Sequence, residues 1–396
     1  MKRLGVFLLC VFLCIGCASS DSEESSIEMD LSKIHFDTSE KDVDLSTLLS
    51  GGRFCATQDV DYILGRADSW IYYYDKKNGI FGKMCGRPEC EHKGNGCNAY
   101  VMGLGDLQVY EGYLYFMTGP SVLTRMGLDG MNREMVRVVN DLAGINGNWV
   151  IHRDKVYTQV SKQVVDDGKS YEDLYIYEFD LNSQEEGKLL FYQRYKSLFE
   201  VEWYFRGDYV YFLIEELSRG TEITRSIYLY DIEQNQFEEI SYQSKYGWSV
   251  LDAYPYETKM TILEKEPNDM RMIEYDLQTG KETELFRIEA TEFMGVFSRN
   301  MDHILAYEIE SNPEGRRIRL LNMEGELEKE WTIPAEWTLE PLNSDEEGFL
   351  LEKDYRLGTD GGGTYYSLWK VPYDGGEAQL LVDKHLDWKT GNEIIP

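Results

Sequence analysis

The chain has 396 residues and a formal net charge of −31, with 71 Asp and Glu against 40 Lys and Arg. That length supplies a large core. The charge serves solubility, repels nucleic-acid phosphates and anionic lipid head groups, and so argues against nucleic acid as a partner.

Lys2 and Arg3 form a short positive head, and Leu4 to Leu13 an apolar run. Gly16-Cys17 then leads into the polar stretch Ala18 to Ser26. A charged head, a short apolar core and a small residue before a cleavage point make a secretory signal, and that core is too short to span a bilayer. A cysteine directly after the small residue resembles the lipobox of bacterial lipoproteins. The resemblance implies residues 1–16 as signal peptide, Cys17 as the lipidated mature terminus, and an anchor on the extracytoplasmic face of the cell membrane. Residues 17–31, rich in Ser, Asp and Glu, read as a flexible tether. Residues 32–396 are the expected folded unit.

Tyrosine is abundant at 29 residues and proline scarce at 9, which suits strands. The tyrosines fill pleated positions or offer rings on which sugars stack. Strand-like runs recur in register, each ending on Asp or Asn and a turn. The markers are Asp75, Asp129, Asp180, Asp231, Asp276, Asn322 and Asp374, spaced 45 to 54 residues apart. Asp and Asn suit that place because their side chains bond their own backbone two residues on. A second polar turn precedes most markers, as in Glu111-Gly112 before Tyr113–Phe116 and Arg206-Gly207-Asp208 before Tyr209–Leu213. Each unit therefore supplies about four strands, the blade of a β-propeller. The expected fold is all-β, a single propeller of four-stranded blades. Seven blades are indicated, six or eight being the alternatives, and a β-solenoid or two sandwiches the competing architecture. One tail, Lys33–Phe36 or His385–Ile395, is expected to complete a terminal blade and close the ring.

The sharpest chemical motif is an insertion at 85–100 between the first two units. Cys85, Cys90, His92 and Cys97 stand in the spacing C-x4-C-x-H-x4-C, interleaved with Gly and Pro. Three thiols and an imidazole in one loop can wrap a tetrahedral ion, and Cys3His is a structural zinc set. Disulfides are the second reading, because Cys55 makes the thiols outside the leader even in number and the compartment is oxidising. Free thiols are the third. Four ligands in one short loop close the shell, whereas catalytic zinc keeps a position open. With the Tyr72-Tyr73-Tyr74-Asp75 hairpin before it, Asn98-Ala99-Tyr100 after it and the lipobox, the segment resembles a group of uncharacterised β-propeller lipoproteins of Gram-positive anaerobes, to which no activity is attached.

There is no Gly-x-Ser-x-Gly elbow, no His-Glu-x-x-His and no phosphate-cradling loop. His152 and His303 read as structural or surface residues. Asp166-Asp167, Asp345-Glu346-Glu347 and Asp360 before its three glycines read as solvated loops. The expected function is a lipid-anchored binding or interaction module for a glycan, a peptide or an envelope partner. The alternatives are an extracellular polysaccharide lyase or hydrolase acting at the channel mouth, and a structural part of an envelope complex.

Overall fold

The structure is a computed structural model. It describes residues 52–386 apart from short breaks, together with Leu31, Ser39, Lys41 and Asp42. Residues 1–16, read above as a signal, with Cys17 and Lys33–Phe36, lie outside the described residues.

The described chain forms seven four-stranded antiparallel sheets in a ring, a seven-bladed β-propeller. Blade 1 runs through Phe54–Ala56, Val60–Leu64, Ile71–Asp75 and Ile80–Lys83. Blade 2 runs through Leu107–Tyr110, Tyr113–Thr118, Val122–Gly127 and Glu134–Val138. Blade 3 runs through Trp149–His152, Lys155–Asp166, Lys169–Asp180 and Lys188–Tyr195. Blades 4 to 7 begin at Leu198–Arg206, Ser249–Tyr256, Met294–Arg299 and Thr338–Ser344. Every blade pairs its strands in chain order. First strands of neighbouring blades approach each other, as Phe54–Ala56 does Leu107–Tyr110, which sets them nearest the ring axis. Among the described residues no helix is long and apolar enough to cross a membrane.

The seven markers all sit in the turn between the third and fourth strands. Each side chain accepts a backbone N–H from the turn: Asn78 to Asp75, Met131 to Asp129, Asn182 to Asp180, Gln234 to Asp231, Thr279 to Asp276, Glu326 to Asn322 and Gly376 to Asp374. A carboxylate or amide here replaces a partner that the reversing backbone lacks.

Each described sheet is a continuous four-stranded meander, and of the two tails Lys33–Phe36 and residues 387–395 lie outside the described residues. The final strand, Gln379–Leu386, contains His385 and belongs to blade 7 itself. The first and last blades meet by packing: Phe54, Ile63 and Tyr72 of blade 1 bury against Leu350, Leu368 and Val382 of blade 7. Tyr74 donates its hydroxyl to Gln379 Oε1 at 3.1 Å across the same seam. Apolar area removed from water on both blades stabilises this seam.

The residues before blade 1 clip onto the turns that join first and second strands. Lys41 Nζ meets Glu111 at 3.2 Å and Asp154 at 2.5 Å, and Arg153 N–H donates to Lys41 O at 2.9 Å. Arg153 bonds Asp42 at 2.6 Å and also Asp208. Leu31 packs on the core that blades 4, 5 and 6 share. One end of the ring thus carries these turns and this clip; the other carries the second-to-third-strand turns and the connectors between blades.

Candidate metal centre

The loop after blade 1 is pinned at both ends to one residue. Met84 N–H donates to Ile71 O and Ile71 N–H donates to Ala99 O, each at 2.8 Å. Trp70 bridges Tyr100, and Val101 N–H donates to Ser69 O at 2.9 Å. Between these pins the chain must reverse within a few residues. It does so through Cys90 N–H to Arg87 O at 3.1 Å and a 3-10 turn, Gly94–Gly96, closed by Cys97 N–H on Gly94 O at 3.0 Å.

These reversals bring Cys85, Cys90, His92 and Cys97 together, with their ligand atoms all within 4.8 Å of one another. His92 Nδ1 lies 3.5 Å from Cys97 Sγ, and His92 N–H points at Cys90 Sγ at 3.4 Å. A tetrahedral ion with bonds of about 2.0–2.3 Å would hold such atoms somewhat under 4 Å apart, so small side-chain rotations close the set. Three soft thiolates and an imidazole suit zinc. Cys55 lies outside this group, and its Sγ accepts Val109 N–H at 3.2 Å.

Electrostatics favour a thiolate here. Burial pushes the Cys85 thiol up, but the Arg87 and Asn98 backbone N–H groups, with the Cys97 and Cys90 thiols, outweigh it and hold it down to about 6. Cys97 is pushed up by its own burial, the Ala99 N–H opposing. Arg87 adds positive charge, its guanidinium 3.4 Å from Cys90 Sγ.

The loop also joins blade 1 to blade 2. Arg133 Nη1 donates to the carbonyls of Cys97, Asn98 and Tyr100 at 3.4, 3.0 and 2.6 Å, while its guanidinium lies over the Phe116 ring. Gly86 N–H and Asn98 Nδ2 both donate to Gly130 O, at 3.2 and 2.8 Å. Gly130 is there for two reasons: its φ is +76°, and a Cβ would come within 2.6 Å of Gly86 N. Sequence reasoning found the loop but not Arg133 or the contact of Asn98 with Gly130. Arg133 carried no signal, since a lone arginine after a turn is ordinary.

Other titratable groups are occupied structurally or lie elsewhere. His152 is fully buried, its Nε2 2.7 Å from Gly207 O and its ring against Phe205; burial holds its pKa below the usual imidazole value. Asp166 pairs with Arg194 at 3.0 Å. The side chains of His35, His303 and His385, and residues 345–347 and 360–363, lie outside the described residues. Near the axis, Asp106 precedes the first strand of blade 2. Burial pushes its carboxyl up to about 7 from 3.8, with Trp149 N–H and Arg53 opposing. Between those values the folded state keeps a proton that the unfolded chain releases, so stability falls as pH rises from about 4 to about 7. Asp106→Asn is therefore expected to stabilise the fold by roughly 2–4 kcal/mol at pH 8, and the gain to vanish near pH 4. Thermal melts of both proteins across that range check this; a gain independent of pH contradicts it.

No protein-family model matches the chain, and no curated protein matches it in sequence. Solved structures match in fold. A prolyl endopeptidase structure superposes with a TM-score of 0.55 at 12% identity, over 88% of this chain and 52% of that one, so the chain spans about half that protein's length. An oligogalacturonate lyase in complex with manganese gives 0.51 at 13% identity, over 86% and 90%. The acylaminoacyl peptidase of Pyrococcus horikoshii gives 0.50 at 11% identity, over 90% and 54%. At these identities the likeness shows the propeller alone, a fold that hosts many unrelated functions.

Proposed function

We propose that the chain is an extracytoplasmic binding module, a seven-bladed propeller tethered by lipid on Cys17. One structural zinc, held by Cys85, Cys90, His92 and Cys97, locks the loop that joins blades 1 and 2. When bound, the ion supplies charge neutralisation and a fixed loop. The protein's own groups do the rest: the Ile71 pins set the loop's ends, and Arg133 takes its carbonyls.

The binding reading is carried by blade 3. Its second and third strands have 12 residues each, and the first strand pairs only with Lys155–Thr158. The hairpin therefore runs on past the first strand, toward the end of the ring that carries the inter-blade connectors. Recognition on a rigid scaffold belongs on such projecting segments. The seven-bladed ring gives it a fixed base.

Two measurements test this. Cys17→Ala is expected to move the protein from the membrane fraction to the medium; unchanged membrane association contradicts the anchor. Incubated with oligogalacturonate and manganese, the purified protein is expected to release no unsaturated product. Product formation would replace the binding reading with the lyase reading.

A further inference from the structure

We propose that the outer part of blade 3 is a platform for a neutral glycan, with Tyr192 and Tyr175 as its stacking surface. This rests on the binding-module reading and names the ligand class.

The platform follows from strand alternation. Tyr171, Asp173, Tyr175 and Tyr177 share one face of the third strand of blade 3, and Asp173 and Tyr175 pair with Arg194 and Tyr192 on the fourth strand. Toward the base this face is core: Tyr177 and Phe179 pack with Tyr110, Tyr115 and Trp149. Further out, the same face meets solvent, and Tyr192 is 47% exposed. Tyr175 and Tyr192 lie with centroids 5.0 Å apart and planes at 35°, and Tyr177 stacks on Tyr175 at 6.2 Å.

The rings are braced. Asp173, with only 4% of its side chain exposed, takes Arg194 Nε at 2.7 Å and accepts both phenol hydroxyls, Tyr175 and Tyr192, at 3.4 Å. Tethering each hydroxyl to one buried carboxylate fixes the ring planes before a ligand arrives, which lowers the entropy cost of binding. Lys162 lies over the Tyr175 ring at 5.4 Å and Arg194 over Tyr171 at 5.4 Å, while Arg194 also holds Asp166. Aromatic faces therefore stand among donors and acceptors of both signs. A pyranose presents that pattern in complement, with a flat C–H face between hydroxyls. A polyanion does not fit: Asp166, Asp173 and the net charge of −31 oppose it.

The test is affinity electrophoresis of the full mature protein in native gels cast with soluble β-glucan, soluble xylan or polygalacturonate. Retardation by β-glucan or xylan is expected. Tyr192→Ala should weaken it roughly tenfold, and Tyr192→Phe, which keeps the ring but loses its tether to Asp173, should weaken it less than Tyr192→Ala does. Circular dichroism and zinc content, unchanged in both variants, separate loss of the platform from loss of the fold. Retardation by polygalacturonate alone, by no polysaccharide, or equally in Tyr192→Ala overturns the proposal. None of these touches the binding-module reading, which fails instead on product formation from oligogalacturonate.

Discussion

Purified without reducing agent, the protein is expected to carry about one zinc per chain, and Cys97→Ser to carry none. Zinc removal should also destabilise the fold. An ion that binds only the folded state contributes about 4 kcal/mol when its free concentration is a thousand times its Kd, and the loop it holds joins two blades. Arg133→Ala separates the ion from the seam. The variant should keep its zinc, because Arg133 contacts carbonyls rather than ligand atoms. It should still lose roughly 1–3 kcal/mol, since up to three partly buried carbonyls lose their donor. Metal content by mass spectrometry, thiol titration and denaturant melts read all three quantities. Zinc-free protein with no titratable thiol would establish disulfides, and the metal reading would be wrong.

The second large effect lies in blade 5. Glu264 and Arg271 face each other on its second and third strands, with 0% and 1% of their side chains exposed and 2.5 Å between Nε and Oε2. Tyr242 donates its hydroxyl to the same carboxylate at 2.6 Å, and the Tyr246 ring covers the guanidinium at 4.6 Å. Glu282 and Glu284 stand 3.6 Å from its other nitrogens. Burial pulls the Arg271 pKa down and these carboxylates outweigh it, so Arg271 stays charged. Arg271→Met is expected to cost about 3–5 kcal/mol, because Glu264 keeps its desolvation penalty without its partner. The double variant Arg271→Met with Glu264→Leu should recover most of that loss, since a packed apolar pair is often as stable as a buried ion pair. Urea melts of wild type, both single variants and the double variant complete the cycle. A double variant as unstable as Arg271→Met alone would show that the pair's value lies in its wider network, not in mutual neutralisation.

Fold class and blade number were legible because they rest on local, repeated chemistry. A turn that reverses two strands needs a side chain to take its backbone N–H groups, and Asp or Asn recurs wherever this happens, from Asp75 to Asp374. The Cys3His cluster was legible for the same reason: Cys85, Cys90, His92 and Cys97 lie within one short loop, so spacing alone limits how far apart their atoms can be. The packing between the first and last blades was not legible, because a seam made of Phe54, Ile63, Leu350 and Val382 leaves no periodic trace of who faces whom.

The amino-acid order by itself thus determined the strands, their turns, the blade repeat and the Cys3His cluster, all interactions between residues near in the chain. Only the tertiary structure decided which partners meet across blades: Arg133 on the Cys97–Tyr100 carbonyls, Lys41 on Asp154, Arg153 on Asp208. It also decided which tyrosines sink into the core and which, like Tyr192, face solvent. The reason is physical. Strand alternation assigns each side chain to a face, but burial depends on whether the neighbouring blade extends far enough to cover it, and no pattern within one strand records the length of another.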